Sequence, residues 1–318
     1  RITASYNHTC ATRSNNTVTC WGLNNNGQLG DGTTTNATTP VAIIGLTDAT
    51  SITAGGSHTC ATRTGHTVTC WGYNNNGQIG NGTTTNATTP VAVTGLADTT
   101  SISAGDGHTC ATRSNNTVAC WGWNSYGQLG DGTIHIDRTT PVTVQKPRVI
   151  GNVVQTASGG NHTCALFDYG SAACWGNNDF GQLGDGTTTD ATRPVTVTGL
   201  TDATSITAGG GHTCATRSDG TVACWGDNAD GQLGIGGTTN RTTPVTVTGL
   251  TDATSVTAGG NPTCATRTGH TVTCWGWNSY GQLGIGTTTN RTTPVTVTGL
   301  TNVTGITAGS VHTCATRS

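Results

Sequence analysis

Thirteen cysteines and a recurrent histidine are the residues with the most chemistry to offer in this 318-residue chain. Twelve cysteines form pairs ten residues apart: Cys10 and Cys20, Cys60 and Cys70, Cys110 and Cys120, Cys164 and Cys174, Cys214 and Cys224, Cys264 and Cys274. Cys314 stands alone. A His-Thr precedes the first cysteine of each pair except the sixth, where Pro262 replaces the histidine. Thiols and imidazoles in this number can serve as disulfides, metal ligands or nucleophile–base pairs. A structural zinc site wants four ligands and usually close Cys-x2–4-Cys pairs, whereas the spacing here is wide throughout. No Gly-x-Ser-x-Gly elbow, phosphate loop or His-Glu-x-x-His helix accompanies them. Asp227 and Asp230 are close in sequence, but a carboxylate pair without a cleft is a weak signal. The expectation is disulfides, with free buried thiols or a metal as the alternatives. No enzyme, metal or cofactor is expected.

The segment between the first two cysteines, ATRSNNTVT, shows how the pair must be held. If residues 14–16 form a three-residue hairpin loop, Arg13 faces Thr17 and Cys10 faces Cys20. Such loops need a left-handed residue at their third position. The copies place Asn16, His66, Asn116, Gly170, Gly220 and His270 there, the types that best tolerate positive φ. Directly opposed antiparallel residues lie about 4.5 or 5.5 Å apart at Cα, within disulfide reach. Six cross-strand bridges are therefore predicted, which places the chain outside a reducing cytosol, extracellular or at a cell surface.

Aligned on His-Thr-Cys, the chain repeats with steps of 50, 50, 54, 50, 50 and 50 residues. A period near 50 without helical periodicity indicates one small β-sheet per repeat. In residues 51–100, four strands are expected at Ser51–Ala54, His58–Arg63, Thr67–Gly72 and Pro90–Gly95, with Pro90 in a first position that needs no ladder donor. Four antiparallel strands per copy, arranged in a ring, give an all-β fold, a β-propeller. An open solenoid of stacked sheets is the alternative. The units are about 1–50, 51–100, 101–154, 155–204, 205–254, 255–304 and a partial 305–318. A seven-bladed ring with an incomplete last blade is expected, six blades being the runner-up. Cys314 is expected to pair with a cysteine beyond the last residue or from another subunit.

Composition excludes several partners. The net charge is −2, with one lysine, Lys146, and no glutamate, so nothing resembles an electrostatic footprint for nucleic acid or anionic lipid. No apolar run approaches the roughly 20 residues of a membrane span. Polarity comes from 73 threonines and 48 glycines. A chain beginning at Arg1 without Met fits one that has been processed or cut.

The string Gly-x-x-His-Thr, Trp-Gly, Asn-x-x-Gly-Gln-Leu-Gly, Pro-Val and Gly-Leu resembles the regulator of chromosome condensation repeat family over almost the whole chain. That resemblance implies a propeller, most often of seven blades, closed by pairing the two chain ends. The founding member is a nucleotide exchange factor for a small GTPase and binds chromatin. Paired cysteines and the lack of a basic tail make this sequence more similar to secreted bacterial branches, which act as binding or inhibitory modules.

Positions that differ between copies are the candidates for recognition. Six of the nine aromatics outside the invariant tryptophans fall in the loop after Trp-Gly: Tyr73, Trp123, Tyr126, Phe180, Trp277 and Tyr280. On one propeller face they could bind a protein or glycan, or cover blade edges. The irregular segment 133–154 adds Lys146 and Arg148. Sequons at Asn36, Asn86, Asn240 and Asn290 share one Thr-rich loop and are the glycosylation candidates. The triplet histidines are expected to be structural, and the arginines beside the hairpins a solvated ring of charge. The function expected is a non-enzymatic extracellular scaffold or binding module, as a surface-layer or filament unit. A secreted inhibitor or adhesin, or an exchange factor, is the alternative.

Overall fold

The computed structural model describes residues 1–145 and 151–318. Six four-stranded antiparallel sheets follow one another, each with its strands in chain order, and a two-stranded sheet of Val303–Ala308 and Thr313–Arg317 follows. The first strand of each sheet is innermost, and in five of the seven the threonine of its Ile/Val-Thr-Ala stretch ties it to the next sheet. Ala54 N–H donates to Thr3 Oγ1 at 3.3 Å, Ala104 to Thr53 at 3.2 Å, Ala258 to Thr207 at 3.2 Å and Ala308 to Thr257 at 3.4 Å. Ala4 N–H then donates to Thr307 Oγ1 at 3.2 Å, so the last sheet meets the first and the ring closes. The fold is a β-propeller with six complete blades, the number given as the alternative, and a half-blade in the seventh place.

The hairpin geometry follows its residues. Asn16, His66, Asn116 and His270 take φ between +55° and +61°, and Gly170 and Gly220 are also left-handed. Arg13 N–H bonds Thr17 O at 2.8 Å, which sets the register Cys10↔Cys20 three pairs along. Alternation makes that a non-hydrogen-bonded pair, the closer kind. All six predicted bridges are present, with Cα–Cα distances of 4.0–4.1 Å.

The outer strand departs from the sequence expectation. It runs Ala87–Ala92, not Pro90–Gly95, and Pro90 is its fourth residue. Gly72 pairs with Ala87 and Cys70 with Val91, so Thr88, Thr89 and Pro90 together oppose Trp71. A proline fits there because the strand is an edge and the position is a bulge, where no N–H is required.

The core lies between blades. Each of five seams packs the bridge, a valine and the leucine or isoleucine after the repeat glutamine of one blade against a tryptophan of the next, as in Cys10, Val18, Cys20, Leu29 and Trp71. Those tryptophans, Trp71, Trp121, Trp175, Trp225 and Trp275, are at most 1% exposed.

Candidate functional site

Strand direction sorts the molecule into two faces. The pair His58↔Gly72 puts the loops after Trp-Gly, the Thr-rich loops and the Gly-Gly turns at one end, whereas Thr62↔Val68 puts the hairpin tips at the other. The aromatic candidates and the sequon candidates Asn36, Asn86, Asn240 and Asn290 thus share one face.

Each seam is held by a relay of buried polar groups that cross from copy to copy. Thr59 Oγ1–H donates to Gln28 O at 2.8 Å, and Trp71 Nε1–H donates to the same carbonyl at 3.0 Å. The threonine's one proton being committed, His8 must donate through Nε2–H to Thr59 Oγ1, at 2.8 Å. The same contact joins His58 to Thr109, His108 to Thr163, His162 to Thr213 and His212 to Thr263 at 2.8–2.9 Å, and His312 to Thr9 at 2.8 Å. The imidazoles are neutral with Nδ1 bare. Ser5 Oγ meets Nδ1 of His8 at 2.8 Å, and Nδ1 of His58, His108, His162 and His212 has no partner. Burial pushes His8, His108 and His162 down to about 3 and His58 and His212 to about 4. An imidazole that is buried, neutral and used as a donor positions blades; it offers no base to a substrate. Among the described residues no group of three or more His, Cys, Asp or Glu is placed to hold a metal.

The loop after Trp-Gly is built around a fully buried asparagine. Asn24 Oδ1 accepts Leu29 N–H at 2.9 Å, while its Nδ2 donates to Thr33 O and Thr35 O at 3.2 and 3.1 Å. Its own N–H donates to Asn36 Oδ1 at 2.7 Å. Asn86, Asn240 and Asn290 accept in the same way from Asn74, Asn228 and Asn278. In the third and fourth copies Asp137 and Asp190 supply that oxygen. The candidate sequon asparagines therefore hold the loop together. An Asn/Asp exchange at one repeat position is the sequence signal for such an acceptor, and it was legible.

On this framework the aromatics stand at the first and fourth loop positions. Trp123 and Tyr126 meet edge to face with centroids 5.5 Å apart, and Trp277 and Tyr280 at 5.3 Å. Tyr280 is 71% exposed. Phe180 reaches across its seam onto Gly211, where an added Cβ would lie 3.0 Å from its ring, so it covers a blade edge. Tyr73 is half-buried. The structure thus gathers two aromatic pairs on separate blades of one face, with Phe180 in a packing role.

Sequence reasoning missed the plug on the same face. Four copies carry Gly-Gly after the inner strand, whereas Tyr6, Asp106 and Ser310 occupy the second position in the other three. They line a cavity of about 170 Å3 at the narrow mouth of the central channel. Tyr6 Oη–H donates to Asp106 Oδ2 across it at 2.8 Å. Burial pushes the Asp106 carboxyl up to about 6, and burial beside that carboxylate also raises the Tyr6 phenol. The signal was the loss of glycine in those copies.

Two further expectations are corrected or displaced. The hairpin arginines are not simply solvated: Arg63, Arg113, Arg217 and Arg267 pair with Asp48, Asp98, Asp202 and Asp252 at 2.8, 2.9, 3.6 and 2.8 Å. In the irregular segment Asp137 and Arg138 are engaged within their loop, Arg138 with Asp131 at 2.8 Å. Lys146 and Arg148 lie outside the described residues.

With this geometry in hand, comparison with known proteins is informative. Over 64 residues, 19% of this chain, the sequence is 42% identical to the E3 ubiquitin-protein ligase HERC2 of Homo sapiens; the chain spans about 1% of that protein's length. Human WBSCR16 superposes with a TM-score of 0.89 at 22% identity, covering 100% of this chain and 86% of that one. Prp20p from Saccharomyces cerevisiae, described with its binding to Gsp1p and histones, gives 0.86 at 21%, covering 99% and 81%. At such identities the structural likeness speaks to fold alone. A family model, the RCC1-like domain, matches residues 1–315. The chain belongs to the RCC1-like domain family.

Proposed function

We propose that the protein is a non-enzymatic scaffold that works outside the reducing cytosol and binds a protein or glycan through its loop face. The observation that carries this reading is the repeated Trp–Tyr pair, Trp123 with Tyr126 and Trp277 with Tyr280, set edge to face on buried-asparagine loops. Rigid aromatic rings with a polar tip lose little freedom on binding and suit both peptide and sugar surfaces. The six bridges support the compartment, since such bonds persist where glutathione does not reduce them. Ring closure and near-identical blades suit a building block of a surface layer or filament, with sugar on its Thr-rich loops.

The test uses the disulfide-intact chain on arrays of glycans and extracellular proteins. Trp123→Ala with Tyr126→Ala should lower a binding signal at least ten-fold while leaving the melting temperature within a few degrees. Equal binding by the double variant, or no ligand on either array, overturns the loop-face reading. Accelerated nucleotide release from a small GTPase would favour the exchange-factor alternative.

A further inference from the structure

Ten Asn-x-Thr triplets occur in the chain, and the fold sorts them by what each asparagine side chain is already doing. An N-linked sugar attaches at Nδ2, so an acceptor must present that nitrogen at the surface. On the Thr-rich loops, Asn86 Nδ2 donates to Asn26 Oδ1 at 3.3 Å and Asn290 Nδ2 to Asp230 Oδ1 at 2.9 Å. Each of these amides reaches back to the preceding copy and belongs to the contact between blades. Asn36 and Asn240 give their Oδ1 to a backbone N–H inside the same loop. Asn7 and Asn161 stand directly before the relay histidines His8 and His162.

Two triplets are placed otherwise. Asn15-Asn16-Thr17 and Asn115-Asn116-Thr117 form the tips of the first and third hairpins, on the face opposite the aromatic loops. Asn15 Oδ1 accepts Thr17 N–H at 3.2 Å and Thr17 Oγ1–H at 2.7 Å. Asn115 Oδ1 accepts the same two donors of Thr117 at 3.1 and 2.6 Å. Asn16 and Asn116, the middle residues, take φ +61°, which folds each triplet back on itself at the tip. Asn15 and Asn115 are both exposed, and neither Nδ2 has a partner among the described residues. With Oδ1 held against the turn, the nitrogen on the other branch of the amide faces away from it.

The fifth hairpin shows what the turn requires at this position. Asp219 Oδ1 accepts Thr221 N–H at 2.9 Å and Thr221 Oγ1–H at 2.7 Å, so a carboxylate oxygen does the same work as the amide oxygen. Gly65 and Gly269 occupy the position in the second and sixth hairpins, which keep the same cysteine register with no side-chain oxygen there. The nitrogen that distinguishes Asn15 and Asn115 from Asp219 therefore does nothing for the hairpin.

We propose that Asn15 and Asn115 are N-glycan attachment sites, so that the hairpin-tip face of the first and third blades carries sugar while the aromatic loop face stays clear. The proposal rests on the reading that the chain leaves the reducing cytosol, because N-linked sugar is a mark of secreted chains. The donor is a glycosyl group carried on a lipid diphosphate. The bond from its anomeric carbon to the phosphate oxygen breaks, and the bond from that carbon to Nδ2 forms. The lipid diphosphate leaves with the electron pair, and an amide proton passes to the base of the transferase.

The test incubates the oxidised, folded chain with a single-subunit oligosaccharyltransferase and a lipid-linked oligosaccharide. Occupied asparagines are read by mass mapping after amidase release in heavy-oxygen water. Asn15 and Asn115 should be modified at least ten-fold faster than Asn86 and Asn290. That preference should vanish once the chain is reduced and unfolded, since it belongs to the fold. Asn15→Asp with Asn115→Asp should remove the fast sugar and leave the melting temperature within a few degrees. Equal rates at the four asparagines of the folded chain, or no transfer to Asn15 and Asn115, overturns the proposal. So does the same preference in the unfolded chain, or a double Asp variant whose hairpins are destabilised. Failure of transfer to the oxidised chain leaves the extracytosolic reading standing. That reading falls instead, and this proposal with it, if the chain secreted from a eukaryotic host emerges with its bridges unformed.

Discussion

Lowering the pH from 7 to 5 should strip the ring of most of its stability through the buried histidines. His8, His58, His108, His162 and His212 have folded-state values of about 3 to 4 because their imidazoles are desolvated, with neighbouring imidazoles adding repulsion at three of them. An unfolded histidine titrates near 6.5. The unfolded chain therefore takes up protons that the folded ring refuses, so the stability is intact above about pH 6.5 and drains as the pH falls. At pH 5 each of the five costs about 2 kcal/mol, or about 10 kcal/mol together. Asp106 works in the other direction, because its folded value of about 6 lies above that of a free carboxyl. Protonation in the folded state returns about 1 kcal/mol at pH 5. The remaining loss of about 9 kcal/mol is comparable to the whole stability of a typical domain, about 5–15 kcal/mol. Melting curves followed by tryptophan emission at constant ionic strength, from pH 7.5 to 4.5, measure it. A melting temperature at pH 5 within two or three degrees of that at pH 7 would refute the reasoning. His108→Gln keeps a side-chain N–H donor for Thr163 and should lower the proton uptake on unfolding by about one.

Two further perturbations test the seams. Trp121→Ala should cost about 3–5 kcal/mol, since it empties a fully buried seam, whereas Trp21→Ala should cost less than half of that because Trp21 is only half-buried; urea melts of the two variants decide. Replacing Cys110 and Cys120 together by alanine opens a ten-residue loop and should cost a little under about 3 kcal/mol by chain entropy, measured as a shift in urea midpoint at constant slope.

What could be foreseen from the chain was whatever is fixed within a few residues. The hairpin was legible because Asn16, His66 and Gly170 carry their left-handed preference locally, and the bridge register follows from the turn. The outer strand was misplaced by three residues because ATTPVAVTG has no alternation to mark a register, and the bulge that settles it depends on Trp71. The arginine pairs were misread because Asp48 lies 15 residues before Arg63, beyond what a hairpin argument reaches. The histidine relay spans 51 residues, and Tyr6 meets Asp106 across 100, so neither can be seen in any single copy. What the copies did hold was their exceptions: Asn against Asp in the Thr-rich loop, and the glycine lost at Tyr6, Asp106 and Ser310.

Those exceptions bear on why the copies are so alike. Each closed seam needs a threonine and tryptophan from one copy on the glutamine carbonyl of the copy before, and a histidine from that earlier copy on the same threonine. A change in one copy is thus felt in its neighbour: Pro262 leaves the Thr313 hydroxyl buried without a partner. Near-identity of His, Thr, Trp and Gln is a demand of reciprocal packing, and it carries no information about a ligand. The first position of the loop after Trp-Gly is free of that demand, because the buried asparagine and the glutamine hold the loop whatever stands there; the fourth position reaches the next copy, as Asn76 does to Asp137 and Phe180 to Gly211. Leu23, Tyr73, Trp123, Asn177, Asp227 and Trp277 occupy the first position with the loop unchanged around them. Recognition of a partner can be varied at that first position without disturbing a seam, which is why the aromatic pairs built on Trp123 and Trp277, rather than the conspicuous histidines, carry the functional proposal.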